Sequence, residues 1–137
     1  KKQITSLPVK LKKTAVKKRW FYYFVLRSEN KIAVQQRVEK DIWQGLYEFP
    51  MIESGKETPV DQIVKQAIKK GWIKKEALMP LNKIEKYSQQ LSHQAVTGFF
   101  IKADALHLPD TKWRWITAAE RKKLAFPVLI NRFLRAE

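Results

Sequence analysis

Residues 45–73 have the sequence GLYEFPMIESGKETPVDQIVKQAIKKGWI, which contains the clearest secondary-structure signal in the chain. A loop with one glycine, Gly45, leads into a short strand that Pro50 ends. Thr58 is a good N-cap residue, and Pro59 fits the first helical position. Apolar residues then recur at helical spacing until Gly71, namely Val60, Ile63, Val64, Ala67 and Ile68. The segment therefore predicts an amphipathic helix with one apolar face and one polar, cationic face.

On the N-terminal side of this segment, residues 20–28 form a dense aromatic and β-branched run, WFYYFVLRS, typical of a central strand. Residues 29–31 predict a turn, and residues 32–37 alternate as a second strand, so the two strands form a hairpin. Aromatic rings at positions 20–24 are chemically able to stack on bases. Because alternate residues of a strand face opposite ways, the pattern favours packing in the core instead.

On the C-terminal side, three further runs are compatible with strands: residues 84–91, 95–101 and 113–116. Ser92, His93 and Gln94 form the loop between the first two runs, and residues 108–111 predict a turn. Thr117 and Glu120 have the spacing of a helix capping box, and a final helix starts around Pro127. Strands and helices are mixed without a regular βαβ order, which predicts an α+β fold with a mixed sheet flanked by helices.

Composition narrows the function. The chain has 137 residues, enough for one domain, and 28 Lys and Arg against 13 Asp and Glu give a net charge of +15. Without cysteine it contains no disulfide, thiolate zinc site, Cys-ligated iron–sulfur cluster or cysteine nucleophile. No apolar run approaches the roughly 20 residues of a membrane span, and the N-terminus lacks a signal-peptide pattern. We therefore expect a cytoplasmic, non-membrane protein that binds a polyanion, most commonly nucleic acid.

The positive charge is concentrated at the N-terminus, where nine Lys and Arg precede the first acidic residue, Glu29. We interpret residues 1–19 as a basic arm, with residues 20–137 forming the folded domain. The residues predicted to contact DNA phosphates are Lys10, Lys12, Lys13, Lys17, Lys18 and Arg19, joined by Arg114, Arg121, Lys122 and Lys123. Such contacts position a protein on DNA without reading sequence.

Residues 45–73 resemble the Nudix box, in which a glycine loop leads into a helix whose glutamates hold a divalent metal for cleaving nucleoside diphosphate linkages. In that register the metal-binding glutamates fall at positions whose spacing, i, i+3 and i+4, places three side chains on one helix face. Those positions hold Gln66, Lys69 and Lys70. A hard cation needs anionic oxygen ligands, and two ammonium groups repel it. The resemblance therefore implies a Nudix-like fold without metal and without hydrolase chemistry.

Four motifs, in order along the chain, are together similar to the C-terminal domain of MutY-type adenine DNA glycosylases. They are Leu7–Lys13, Trp43–Pro50, Leu91-Ser92-His93, and Trp113 with Leu124–Pro127. Two departures from the family pattern are Leu91, where phenylalanine is usual, and Tyr47, where tryptophan is common. The resemblance implies that residues 1–19 link to an N-terminal helix-hairpin-helix domain of the same polypeptide, absent from this chain. That domain carries the catalytic residues and the 4Fe–4S cluster, so no cofactor is expected here.

The resemblance also implies a role in recognising 8-oxoguanine opposite a mispaired adenine in double-stranded DNA. Oxidation of guanine adds an oxygen at C8 and converts N7 from an acceptor to an N–H donor. A serine hydroxyl can accept from N7–H or donate to O8, which makes Ser92 a sensible reader. His93 can donate to a base edge or a phosphate, and Leu91 would pack or wedge beside the base. These three residues are the predicted lesion-binding site.

The expected function is thus lesion recognition for a parent adenine glycosylase of the bacterial nucleoid, with no catalysis by this chain alone. Two alternatives remain open. An active Nudix pyrophosphohydrolase is opposed by the residues at positions 66, 69 and 70. A general basic module that binds RNA or a protein would show salt-dependent binding without preference for the lesion.

Overall fold

The computed structural model of the chain describes residues 16–74, 83–104 and 113–137. The strands within these ranges are β1 (Lys17–Ser28), β2 (Lys31–Gln36), β3 (Tyr47–Glu48), β4 (Met51–Ser54), β5 (Glu85–Gln90), β6 (Gln94–Asp104) and β7 (Arg114–Ile116). The helices are α1 (Val60–Lys69), α2 (Ala118–Arg121) and α3 (Val128–Arg135).

The sheet is built around β1. On one edge β1 pairs in parallel with β6 along nearly its whole length, from Lys17 opposite Gln94 to Arg27 opposite Asp104. On the other edge, the antiparallel partners are β4 along its first half and β2 at its end. Strand β5 pairs antiparallel outside β6, while β3 and β7 both pair antiparallel with β2. The result is a mixed sheet flanked by helices, which confirms the predicted α+β fold.

Strand β1 supplies the core on both faces of the sheet, because successive side chains point to opposite sides. Its odd-numbered core side chains pack with Leu129 and Ile130 of α3, and its even-numbered ones pack with Ile63 and Val64 of α1. Residues 21–24 are fully buried between these layers. Burial on both faces explains why β1 reads as an almost continuous apolar run. The prediction that its aromatic residues form the core is confirmed.

The N-terminus of α1 differs from the prediction. Pro59, not Thr58, is the N-cap residue, and no side chain caps the first turn. The Thr58 hydroxyl donates to the Lys56 carbonyl at 3.0 Å and lies 2.7 Å from the Ser54 hydroxyl. The N-cap prediction at Thr58 is therefore wrong by one residue, because this hydroxyl bonds within the loop that precedes the helix.

The C-terminus of α1 matches the prediction. The helix ends at Lys69, and Gly71 adopts a left-handed conformation with φ of 81°. The Gly71 N–H donates to the Ile68 carbonyl, and the Trp72 N–H donates to the Ala67 carbonyl. This pair of bonds is a Schellman motif, which satisfies carbonyls that a helix otherwise leaves without partners.

The other predicted elements are largely confirmed. β1 and β2 form the expected hairpin, with Glu29 and Asn30 as its turn. The capping box of α2 is present, since the Glu120 N–H donates to Thr117 Oγ1 and the Thr117 N–H donates to a Glu120 carboxylate oxygen. α3 begins at Val128, directly after Pro127.

Two differences remain. β1 begins at Lys17, so the last three residues assigned to the basic arm belong to a strand. Strand β4 was not predicted. The predicted turn at 108–111 and residues 1–15 of the arm lie outside the described residues.

Candidate nucleic-acid interface

The helix α1 presents the three positions at which a Nudix hydrolase carries metal-binding glutamates. Gln66 and Lys69 within the helix and Lys70 at its C-cap are all exposed, whereas Ile63 and Ala67 are buried. Within the described residues there is no cluster of three or more histidine or carboxylate side chains suited to a metal ion. The chemistry of this face is cationic, so it suits an anion and not a divalent metal.

The predicted lesion-binding residues lie together at the tip of the β5–β6 hairpin. The Leu91 N–H donates to the Gln94 carbonyl at 2.7 Å, which closes a tight turn around Ser92 and His93. Both of these side chains are exposed. Leu91 is half-buried and packs against the apolar cluster beneath α3, so it anchors the hairpin. The tip therefore presents one hydroxyl and one imidazole to solvent.

Exposed lysines lie beside this tip. Since β1 and β6 are parallel, the start of β1 and the hairpin tip meet at the same end of the sheet. The Lys17 N–H donates to the His93 carbonyl at 3.1 Å, and the side chains of Lys17 and Lys18 are exposed. Lys10, Lys12 and Lys13 of the predicted phosphate-contacting set lie outside the described residues. The exposed side chains of Lys17, Lys18, Ser92 and His93 thus lie at one end of the sheet, with the two lysines on opposite faces of β1. We call this end the hairpin-tip surface (Lys17, Lys18, Ser92 and His93).

The other predicted phosphate contacts are placed elsewhere. Arg114 is exposed and lies over the Tyr47 ring, with 5.8 Å from its guanidinium carbon to the ring centroid. Lys122 and Lys123 are exposed and Arg121 is half-buried. These four side chains belong to β7 and the α2 segment, not to the hairpin-tip surface.

Arg19 is too deeply buried for the phosphate contact that its place in the basic arm predicts. It is only 8% exposed, and all five of its N–H donors are used. Nε and Nη2 donate to Glu53, and Nη1 and Nη2 donate to Asp41. Nη1 also donates to the Gln94 side-chain oxygen at 3.0 Å. The predicted phosphate contact for Arg19 is therefore corrected, because no donor of its guanidinium is free for DNA.

A second arginine extends this cluster. Arg37 donates to Asp41 and to Glu48, each at 2.9 Å, and its Nε donates to the Ile42 carbonyl at 3.1 Å. Gln35 donates to the other oxygen of Glu48 at 2.9 Å. We call the group formed by Arg19, Gln35, Arg37, Asp41, Glu48, Glu53 and Gln94 the arginine–carboxylate network. It ties β1, β2, β3, β4, β6 and the loop at residues 41–46 to one another.

The network shifts the pKa of its acids in opposite directions. Hydrogen bonds from Arg19 lower the pKa of Asp41 to about 2. Burial raises the pKa of Glu48, although Arg37 and Gln35 oppose that shift. Burial also raises the pKa of Tyr23 well above its usual value, and no described group hydrogen-bonds to the buried Tyr23 hydroxyl. Burial of these charges is tolerated because each charged group of the network is hydrogen-bonded to a partner of opposite charge.

The sequence pattern does not identify Asp41, Glu53 and Gln94 as members of this network. One signal was available, because alternation in a strand places Arg19 on the same face as Phe21 and Tyr23, which are core residues. A charge on a core face needs buried partners. Which carboxylates supply them depends on loop geometry that no local pattern records.

The fold and these sites define the class of protein. Residues 22–136 match the NUDIX domain, and the chain belongs to that family. Among curated proteins no match was found. Within the described residues, no helix is long and apolar enough to cross a membrane.

Solved structures of Nudix-fold proteins are similar to this chain. The C-terminal domain of mouse MUTYH, solved in complex with human PCNA, is 17% identical, with a TM-score of 0.52 over 85% of each chain. The C. elegans Ap4A hydrolase is 15% identical, with a TM-score of 0.57 over 88% of this chain and 94% of its own. The E. coli ORF135 protein is 14% identical, with a TM-score of 0.57 over 88% and 91%. At these identities the likeness concerns the fold.

Proposed function

We propose that this chain is the lesion-recognition domain of an adenine DNA glycosylase, which reads 8-oxoguanine opposite a mispaired adenine. The observation that carries the proposal is a Nudix fold whose box helix presents Gln66, Lys69 and Lys70 instead of metal-binding carboxylates. A Nudix domain without metal ligands on this helix is suited to binding a nucleic acid, and not to metal-dependent hydrolysis of a nucleotide. The similarity in fold to the C-terminal domain of mouse MUTYH supports the same assignment.

The hairpin-tip surface has the chemistry that lesion reading requires. The Ser92 hydroxyl accepts from the N7–H group that only oxidised guanine carries, and one such bond discriminates by roughly 1–3 kcal/mol. His93 donates to the base edge or to the flanking phosphate. Lys17 and Lys18 hold the phosphates beside the tip, which fixes the register of the domain on the duplex without reading sequence.

The parent enzyme hydrolyses the N-glycosidic bond of the mispaired adenine. The adenine is extruded into a pocket of the N-terminal domain, which supplies the catalytic groups and the 4Fe–4S cluster. This chain supplies no cofactor and no catalytic residue. Its partners are double-stranded DNA that contains 8-oxoguanine opposite adenine, and the N-terminal domain, in the bacterial cytoplasm at the nucleoid.

A binding titration tests this function. Two duplexes of identical sequence are compared, one with 8-oxoguanine opposite adenine and one with guanine opposite adenine. We expect tighter binding of the oxidised duplex, and Ser92→Ala should narrow that difference by about fivefold, the loss of one hydrogen bond. Ser88→Ala is the matched control, since Ser88 is exposed on β5 of the same hairpin but away from its tip. Equal affinity of the wild-type chain for both duplexes contradicts the proposal.

A second assay addresses hydrolysis directly. The chain is incubated with oxidised dGTP and magnesium, and the release of pyrophosphate is measured. We expect no release above the uncatalysed rate, because the box helix offers no anionic ligand at positions 66, 69 and 70. Magnesium-dependent turnover would replace lesion recognition with a pyrophosphohydrolase function.

A further inference from the structure

Arg19 joins three parts of the structure that are distant in sequence. Its guanidinium binds Asp41 of the loop at residues 41–46, Glu53 of β4 and Gln94 at the start of β6. Gln94 directly follows the exposed residues Ser92 and His93. We propose that Arg19 is a positioning residue for lesion reading, and that it holds the hairpin tip through Gln94. This inference rests on the proposed function and adds the group that orients its site.

The hairpin tip is fixed at three points. The Gln94 carbonyl accepts from the Leu91 N–H, and the His93 carbonyl accepts from the Lys17 N–H. The third point is the Gln94 side chain, whose oxygen accepts from Arg19 at 3.0 Å. The first two bonds set the backbone of the turn. The third connects the turn to a side chain that is itself immobilised by two carboxylates.

Arg19 is well suited to this role because the ion pairs that its buried charge requires also fix the position of its side chain. A guanidinium that is 8% exposed requires counter-ions, and Asp41 and Glu53 each accept two of its hydrogen bonds. The Phe21 ring lies against it, 4.9 Å from the guanidinium carbon to the ring centroid. Because Asp41 and Glu53 each bind two N–H groups of the planar Arg19 guanidinium, its orientation is fixed. The fifth N–H group of the guanidinium donates to Gln94.

The loop at residues 41–46 is held in the same way. Arg37 binds Asp41 and the Ile42 carbonyl, and its guanidinium carbon lies 5.5 Å from the Phe21 ring centroid. Trp43 in this loop packs edge-on against Phe21, with 5.9 Å between ring centroids. Loop and hairpin tip therefore share Asp41 and Arg19, and a displacement of the loop is transmitted to Gln94 through these two side chains.

The variant Gln94→Met tests this positioning role, because it removes the acceptor for Arg19 and leaves the pairs with Asp41 and Glu53 in place. Gln35→Met is the matched control. Gln35 is also half-buried and donates to a carboxylate of the network, Glu48, but does not contact the hairpin. We expect the affinity ratio between the oxidised and normal duplexes to fall about fivefold in Gln94→Met and to stay within twofold in Gln35→Met. Gln94→Glu keeps an acceptor for Arg19 and should restore the wild-type ratio.

Amide hydrogen exchange of the free protein separates this inference from the function itself. The reporters are the N–H groups of Leu91 and Lys17, which donate to the two carbonyls of the tip. In Gln94→Met both should exchange about fivefold faster than in the wild type, with no change in Gln35→Met or Gln94→Glu.

Two results are decisive. Unchanged exchange at both amides in Gln94→Met overturns the positioning role, whatever the DNA titration gives. So does an equal loss of lesion preference in Gln94→Met and Gln35→Met, since that loss reflects general destabilisation. Faster exchange in Gln94→Met shows that Gln94 holds the hairpin tip. If the wild-type chain then binds both duplexes equally, the proposed lesion recognition is rejected, while the role of Arg19 in positioning the tip is retained.

Discussion

Asp41 is the residue whose charge both arginines of the network share. Its pKa is lowered from 3.8 to about 2 by hydrogen bonds from Arg19, aided by Arg37. An acid with a lowered pKa in the folded state stabilises the fold above its ordinary pKa, and this stabilisation is lost as the pH falls through the lowered value. The shift corresponds to about 2 kcal/mol. The charged groups that act on Asp41 are Arg19, Arg37 and Glu48, and Glu53 shares Arg19 with it.

We therefore predict that Asp41→Asn lowers the free energy of unfolding by at least about 2 kcal/mol at pH 7, since two largely buried guanidinium groups lose a counter-ion. Below pH 4 the gap between wild type and variant should close progressively towards pH 2. Urea unfolding at a series of pH values measures this gap. Glu39→Gln serves as the control because Glu39 is exposed in the preceding loop. A gap that stays constant between pH 7 and pH 2 contradicts the charge-based account.

Gly98 is required by packing. A Cβ atom at this position would lie 2.9 Å from Leu129 Cδ2 and 3.3 Å from a ring carbon of Tyr23, both fully buried. Gly98→Ala should therefore destabilise the fold by about 2 kcal/mol, the cost of overpacking a core. At Gly55 a Cβ atom would meet nothing within 4 Å, so Gly55→Ala should be neutral or slightly stabilising. Denaturant midpoints of the two variants provide the comparison, and equal midpoints would contradict it.

At the scale of the element, α1 is held in place by residues other than those at the Nudix-box positions 66, 69 and 70. Its buried face consists of Ile63, Val64 and Ala67, and its Schellman motif is made by backbone groups, so neither depends on the side chains at positions 66, 69 and 70. The Lys70 ammonium lies 5.8 Å from the centroid of the Trp72 ring. We predict that Gln66→Glu, Lys69→Glu and Lys70→Glu together create a site for Mn²⁺ with a dissociation constant on the order of 10⁻³ M. Isothermal titration measures the binding. The control, Lys69→Gln with Lys70→Gln, removes the repulsion without supplying carboxylates and should not bind. Binding by the control would mean that the ligands come from elsewhere.

The elements also show which features a sequence pattern can predict. α1, the β1–β2 hairpin and the capping box were predictable because propensity, spacing and turn chemistry agree locally. β4 was not, since only Ile52 of its four residues is buried, and its strand conformation comes from pairing with β1. Arg19 was assigned to the basic arm by counting charges along the chain. Its actual role depends on carboxylates 22 and 34 residues away, a relation that only the folded structure contains.

At the scale of the whole molecule, the proposed function divides the binding free energy into two contributions: the net charge of +15 attracts DNA regardless of sequence, and the hairpin tip provides the selectivity for the lesion. A salt titration distinguishes the two contributions, because phosphate contacts change the salt dependence of the affinity, whereas lesion reading changes the affinity ratio between the two duplexes. Each phosphate that a lysine neutralises adds about −0.9 to the slope of log K against log salt concentration. We predict that Lys17→Ala makes the slope less negative by about 0.9 and weakens both duplexes alike. The ratio between them should stay unchanged, unlike in Ser92→Ala.

Lys31→Ala is the matched control, because it removes the same charge as Lys17→Ala at a different position on the surface. Both lysines are exposed at strand termini, but Lys31 pairs with Ser28 at the far end of β1 from Lys17. Strand β1 has 12 residues, so its two ends lie about 36 Å apart at the usual rise per residue. If DNA lies across the hairpin-tip surface, Lys31→Ala leaves the slope unchanged. A slope that changes equally in both variants would mean that total charge, and not a contact beside Ser92 and His93, governs the binding of the duplex.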